Sequence, residues 1–244
     1  MKVIGVIPAR WGSTRFEGKV LADINGKPMI RHVWERAQKS RKIDEVLIAC
    51  DDERIMAAAK KFNAQAVMTS KNHPSGTDRI AEAVKNVKAD IVINIQADEP
   101  LIDPATIDAL AACLSKDKTA PVATVIKAIE DLNEIANPNV VKVAVDHKGY
   151  ALYFSRSPIP YNRAGSDPKK VPYYKHAGIY AYRKNFLLKF KDLPKSKLES
   201  AEKLEQLRIL EAGYKIKTVL TRQESVGVDT PEDLARVKEL LNRK

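Results

Sequence analysis

Apolar residues fall into two alternating patterns along the first half of the chain. Short continuous runs at 2–7 (KVIGVI), 45–50 (EVLIAC), 64–69 (AQAVMT), 90–96 (DIVINIQ) and 120–128 (APVATVIKA) predict buried strands. Between them lie helical stripes. In 28–40, Met29, Ile30, Val33, Trp34 and Ala37 recur at helical spacing. Asp51 or Asp52 is placed to cap the helix after 45–50, and 75–87 reads as a loop entering a helix. In 103–114, Asp103 is the N-cap and Pro104 the first helical residue. Strand and helix alternating in this way predict a parallel sheet with helices on both faces.

The rhythm breaks near residue 130. Residues 140–156 read as two strands joined by a turn at Asp146–Gly149, 157–175 as a long Pro-rich polar loop, and 175–183 as another strand. Residues 198–213 read as one helix closed by Gly213, with Ala201, Leu204, Leu207 and Leu210 as its buried stripe. A strand at 215–221 and a helix from 230 complete the chain; Thr230, Pro231 and Asp233 form its capped start. The expected organisation is one domain over 1–244, with a body of 1–130 and 186–244 and an inserted antiparallel lobe over about 131–185.

Composition narrows the function classes. An apolar fraction of 44% in 244 residues supports a substantial core. No apolar stretch is long enough for a membrane span, and no signal-peptide pattern opens the chain. Two cysteines, Cys50 and Cys113, fit neither a disulfide framework nor a metal motif, which points to structural thiols in a reducing cytoplasm. The net charge of +11 is spread along the chain without aromatic interleaving, so it reads as a solvated surface that draws in anionic substrates rather than a nucleic-acid platform.

The densest chemistry is PARWGSTRFEGK at 8–19. It places Arg10, Arg15 and Lys19 around Gly12, Gly18 and Ser13 at the C-terminal end of the first strand, where open α/β sheets bind ligands. Backbone N–H groups freed by glycine and three cations suit a triphosphate. The spacing is neither the Walker A pattern nor G-x-G-x-x-G; on its own it leaves an ordinary basic turn open.

The stretch 7–30 resembles the nucleotide-binding signature of the 3-deoxy-manno-octulosonate (Kdo) cytidylyltransferases. The resemblance recurs in order at HPSGTDRIAEA, NIQADEPLIDP, NPNVVKV, YFSRSPIPY, HAGIYAYR, LEQLRILEAGYKI and GVDTPEDL, nearly end to end. It implies a Rossmann-like nucleotide-diphospho-sugar transferase fold, mostly parallel, with a small antiparallel dimerisation lobe. It implies transfer of CMP from CTP to the 2-hydroxyl of Kdo with release of pyrophosphate for lipopolysaccharide synthesis, Mg²⁺ as cofactor, and a homodimer. Related acceptors, 8-amino-Kdo or a sialic-acid-type nonulosonate, stay open; a non-catalytic binding module is the reading from a different class.

Residue by residue, the resemblance assigns Arg10, Gly12, Ser13, Arg15 and Lys19 to the phosphates, and Asp98 and Asp229 to the metal. Arg10, Lys19, Asp98 and Asp229 are the catalytic set. Ser75, Gly76 and Arg79 are assigned to cytidine, although Ser75 or Thr77 is also expected to cap a helix. Gln96, Arg156, His176, Tyr180, Glu205 and Gln206 are assigned to the sugar acid; as bare residues, His176 would sooner be a core histidine and Arg156 a surface ion-pair partner. Three departures stand out: Glu17 and Val20 where the family usually has proline, and Ala97 where it usually has glycine. Glu17 puts an acid beside a phosphate loop and is expected to face solvent.

Overall fold

The computed structural model describes residues 1–12, 16–165, 167–224 and 226–242. Along these the chain runs β1 (Val3–Ala9), β2 (Asp23–Ile24), β3 (Lys27–Pro28), α1 (Met29–Ala37), β4 (Glu45–Cys50), α2 (Glu53–Lys61), β5 (Gln65–Met68), α3 (Gly76–Ala83), β6 (Ile91–Asn94) and α4 (Pro104–Lys116). It continues through β7 (Val122–Ala128), α5 (Asn133–Ala136), β8 (Lys142–Val145), β9 (Ala151–Ser155), β10 (Tyr174–Arg183), α6 (Lys184–Lys189), α7 (Lys197–Glu202), α8 (Gln206–Glu211), β11 (Ile216–Thr221) and α9 (Pro231–Asn242).

The main sheet has the order β11-β7-β10-β6-β1-β4-β5. Neighbours are parallel except at β10, which is antiparallel to both β6 and β7. Burial follows the two-residue strand period. Along β1, Val3, Ile7 and Ala9 enter one core and Ile4 and Val6 the other. The first core is covered by Ile30 and Val33 of α1, Ile55 of α2 and Leu110 of α4; the second by Ile80 of α3, Leu187 of α6 and Leu207 of α8. The α/β fold with helices on both faces is therefore as the sequence implies.

Local signals place the helix starts. Asp52, not Asp51, caps α2 by accepting from Arg54 N. Asp103 caps α4 with Pro104 in the first turn. Thr230 Oγ1 accepts from Asp233 N while the Asp233 carboxylate accepts from Thr230 N, a reciprocal cap at the start of α9. Asn25 and Gly26, both at positive φ, close the β2–β3 hairpin, a turn that the Asn-Gly pair signals and the sequence analysis passed over.

Two elements differ from the sequence reading. The single helix expected over 198–213 is two short helices separated by Lys203 at φ 54°. Ala201 is exposed, whereas Gln206 joins Leu204 and Leu207 in the interior. The cause is tertiary: Glu202 turns inward to accept from Ser155 Oγ and Arg156 N at the end of β9 (2.6 and 2.8 Å), which fixes α7 apart from α8.

The second difference is the segment 131–185, which does not stand apart from the body. β8 and β9 form an antiparallel extension, but β10 runs through the middle of the main sheet. Lys142, fully buried, ties the extension together by donating to the carbonyls of Asn137, Val140 and Arg156 (2.8, 2.6 and 2.5 Å). Burial lowers its pKa.

Candidate active site

Strand order reverses direction between β1 and β6: β4 and β5 follow on one side, β10, β7 and β11 lie on the other. The crevice beyond the C-terminal ends of β1 and β6 is where such sheets bind ligands. A cleft of about 360 Å³ opens there. Pro8 lies near the end of β1 and Arg10 follows it, Gln96, Ala97 and Asp98 follow β6, and Ser75, Gly76 and Arg79 come from the start of α3. Lys19 and Asp229 close it. Eight of the sequence-assigned residues thus meet in one cavity. Ser13 and Arg15 lie outside the described residues; Gly12 is described but does not line the cleft.

At the mouth, Lys19 Nζ donates to Asp98 Oδ2 at 2.7 Å and to Asp229 Oδ1 at 2.9 Å, and to the carbonyl of Val228 at 2.9 Å. Burial opposes the ammonium charge, but the two carboxylates outweigh it and the Lys19 pKa is raised. The convergence is held from the backbone. Val228 N donates to the carbonyl of Asp98 at 2.9 Å, fastening the segment before α9 to the loop after β6. Upstream, Glu224 pairs with both Lys127 and Lys175 (2.9 and 2.7 Å), anchoring the same segment on β7 and β10.

On the opposite wall, Asp51 at the end of β4 accepts from Trp11 N and from Arg79 Nη2, each at 2.9 Å. Arg79 Nη1 donates to Thr69 Oγ1 at 2.7 Å, and Thr69 in turn donates to the Cys50 carbonyl at 2.9 Å. Arg79 is 4% exposed. Two of its nitrogens are therefore committed to the protein, and its first role is to hold Asp51 and through it the start of the loop after β1. Ser75 is the cap of α3: its Oγ accepts from Asp78 N at 3.2 Å. Thr77 instead donates to Glu205, joining α3 to the turn before α8. Burial raises the Glu205 pKa.

The residues assigned to the sugar acid divide. Gln96 lines the cleft and donates to the Gly178 carbonyl at 2.7 Å, inside the bulge of β10 between Ala177 and Tyr180. His176 and Tyr180 pack ring to ring at 5.3 Å. Gln206 is buried with its Nε2 unpartnered, and so is the Oδ1 of Asn94, which stands opposite Tyr180 in the sheet register. Of the six, only Gln96 lines the cleft; His176, Tyr180, Glu205, Gln206 and Arg156 lie outside its lining, and Arg156 Nε and Nη1 donate to the carbonyls of Glu202 and Pro138 (2.7 and 2.8 Å).

The tautomer of His176 follows from its partner. Thr124 Oγ1 donates to the Ile179 carbonyl at 2.8 Å, so toward His176 Nε2, 2.9 Å away, it accepts. Nε2 then carries a proton, and because burial disfavours the charged ring, Nδ1 is left as the acceptor at neutral pH. Burial against Phe154 and Tyr180 lowers its pKa to about 4. The unfolded chain takes up this proton near pH 6.5 and the folded chain does not. The stability that His176 holds above pH 6.5 is therefore lost as the pH falls through about 4. Thermal unfolding of the wild type and His176→Gln across pH 7.5 to 4 should show the smaller acid-induced fall for the variant; parallel curves would place the ring in water.

Asp51 and Thr69 were missed as site residues. Asp51 left a signal: two adjacent aspartates end β4, and one cap needs only Asp52.

Comparison with known proteins shows the family. A family model described as cytidylyltransferase matches residues 4–216. The chain is 51% identical over 249 residues to the 3-deoxy-manno-octulosonate cytidylyltransferase of Geotalea daltonii, covering 99% of this chain and 98% of that one. It is 54% identical over 239 residues to the protein of the same name from Solibacter usitatus, covering 98% and 94%. The chain belongs to the 3-deoxy-manno-octulosonate cytidylyltransferase family. A solved structure of a CMP:2-keto-3-deoxy-manno-octonic acid synthetase complexed with CTP superposes with a TM-score of 0.95 at 47% identity, covering 100% of this chain and 99% of that one. A cytidylyltransferase from Leptospira borgpetersenii shares the fold, with a TM-score of 0.68 at 18% identity over 100% of this chain and 88% of that one.

Proposed function

We propose that this family member transfers CMP from CTP to the 2-hydroxyl of Kdo and releases pyrophosphate, supplying an activated sugar acid for lipopolysaccharide synthesis. The observation that carries the reading is the meeting of Lys19, Asp98 and Asp229 at the sheet's switch point. Attack of a hydroxyl on the α-phosphorus needs positioning and neutralisation of charge on the phosphates and on departing pyrophosphate. Arg10 and Lys19 supply cations for that purpose, and Ser75 and Gly76 bring the start of α3 to the cleft.

The donor set fits Mg²⁺. Two carboxylates from separate segments already converge on a cation, the Lys19 ammonium, and both are hard oxygen donors. Among the described residues no group of three or more His, Cys, Asp or Glu could form a closed protein cage, which suits an ion completed by nucleotide oxygens and water. Asp98 and Asp229 would hold it; bound there, it offsets charge on the α-phosphate and lowers the pKa of the attacking hydroxyl. With the ion held by the two carboxylates, the Lys19 ammonium would be available to the triphosphate.

Neutral His176 offers Nδ1 to a sugar hydroxyl, and the unpartnered Gln206 Nε2 offers a donor. This pairing suits a polyhydroxylated acid. Pyrophosphate release should be assayed with CTP and Mg²⁺ against Kdo, 8-amino-Kdo, sialic acid and no acceptor. Release with Kdo above the others supports the reading. Preference for another acid would replace Kdo as the acceptor; no release from folded protein defeats the assignment.

The assembly is read as a homodimer formed through the β8–β9 extension, where Leu152 is 61% exposed on β9. Sedimentation at micromolar concentration should give twice the mass of one chain, and Leu152→Asp should shift it toward the single chain. A wild-type monomer refutes this.

A further inference from the structure

The acid at position 17, unexpected beside a phosphate loop, has a partner. Glu17 Oε1 accepts from the indole Nε1 of Trp11 at 2.8 Å. Trp11 and Glu17 stand at the two ends of the loop between β1 and Lys19. Gly18 N donates to the Trp11 carbonyl at 3.0 Å, so backbone and side chains close the same two ends. The Arg54 guanidinium lies 3.5 Å from the centre of the Trp11 ring. Arg54 is itself held in a fork by Asp52, through Nε to Oδ1 at 2.7 Å and Nη2 to Oδ2 at 2.8 Å. Gly18 completes the arrangement. A Cβ there would come within 2.7 Å of the indole, and its φ of +65° favours glycine.

We propose that Trp11, Glu17 and Arg54 form a latch that holds the two ends of the nucleotide loop together, and that the latch sets CTP affinity rather than the rate of the chemical step. None of the three lines the cleft, so none touches the reacting atoms. They act by position. The latch fixes Trp11, whose N–H is bonded to Asp51, and it fixes Gly18, which precedes Lys19. A loop held in its binding conformation before the nucleotide arrives loses less conformational freedom on binding. The acid at 17 does not weaken the positive cleft, because its carboxylate is turned to the indole beside the Arg54 cation.

The inference rests on the reading that this loop binds CTP, and the experiment separates the two. CTP binding is measured by calorimetry, alongside steady-state KM and kcat, for the wild type, Trp11→Phe, Glu17→Ala, Glu17→Gln and the double variant Trp11→Phe/Glu17→Ala. Wild-type protein that binds no CTP defeats the function reading itself. Given wild-type binding, Trp11→Phe and Glu17→Ala should each weaken it about three- to ten-fold, with kcat changed less than about two-fold. Glu17→Gln, which keeps an acceptor oxygen, should restore most of the affinity. The double variant should be no worse than either single one, because the two residues serve one bond. Unchanged affinity in the single variants, additive losses in the double, or a fall in kcat at constant affinity would each overturn the latch. The side chain of Arg54 is well exposed and Glu17 lies at the surface, so folding of the variants is checked by an unchanged melting temperature.

Discussion

Replacing Asp98 by asparagine is expected to lower kcat by about 10²- to 10³-fold while the protein keeps its fold. The size follows from what the carboxylate does. Asp98 supplies one of the two negative groups that converge on the Lys19 ammonium, and asparagine keeps its shape without its charge. The structural work of residue 98 is done by its backbone: the carbonyl accepts from Val228 N, and that bond survives the substitution. The segment carrying Asp229 therefore stays in place, and the loss is electrostatic. Steady-state kinetics with circular dichroism tests this. A kcat within a few-fold of wild type would remove Asp98 from the chemistry.

The largest stability effect should come from Asp51→Ala. Asp51 and Arg79 are 7% and 4% exposed and paired at 2.9 Å. Removing the carboxylate strands a guanidinium in the interior, which costs about 3–5 kcal/mol. For a chain of this size that lowers the melting temperature by roughly 10 °C. CTP binding should weaken as well, since Trp11 N loses its acceptor. Asp51→Asn keeps an acceptor and should fall between. A melting temperature within about 3 °C of wild type for Asp51→Ala would mean that water reaches Arg79.

What the sequence made legible was local. The apolar run of β1, the stripe Met29, Ile30, Val33 and Ala37, the Asp103-Pro104 cap and the Thr230–Asp233 pair each depend on residues within a turn or two of one another. The site followed from eight recurring motifs, and the structure gathers Arg10, Lys19, Ser75, Gly76, Arg79, Gln96, Asp98 and Asp229 into one cleft.

What was hidden depends on partners far along the chain. β10 reads as an ordinary strand, and nothing in its own pattern says that it enters the middle of the sheet antiparallel to β6 and β7. The break at Lys203 needs Ser155 and Arg156 to draw Glu202 inward, 46 residues or more away. Arg79 was read as a base-recognising cation because its buried partner Asp51 lies 28 residues earlier. Glu17 looked anomalous until the Trp11 indole was found at its carboxylate.

The central claim is that an acceptor hydroxyl attacks the α-phosphorus of CTP in the cleft of Lys19, Asp98 and Asp229. The most direct measurement is phosphorus NMR of CTP, Mg²⁺ and Kdo with the wild-type protein. The account predicts that the α-phosphorus signal converts to a phosphodiester while the β- and γ-phosphorus signals leave together as pyrophosphate, only when Kdo is present. Formation of CDP and inorganic phosphate, or of free CMP without Kdo, would contradict it.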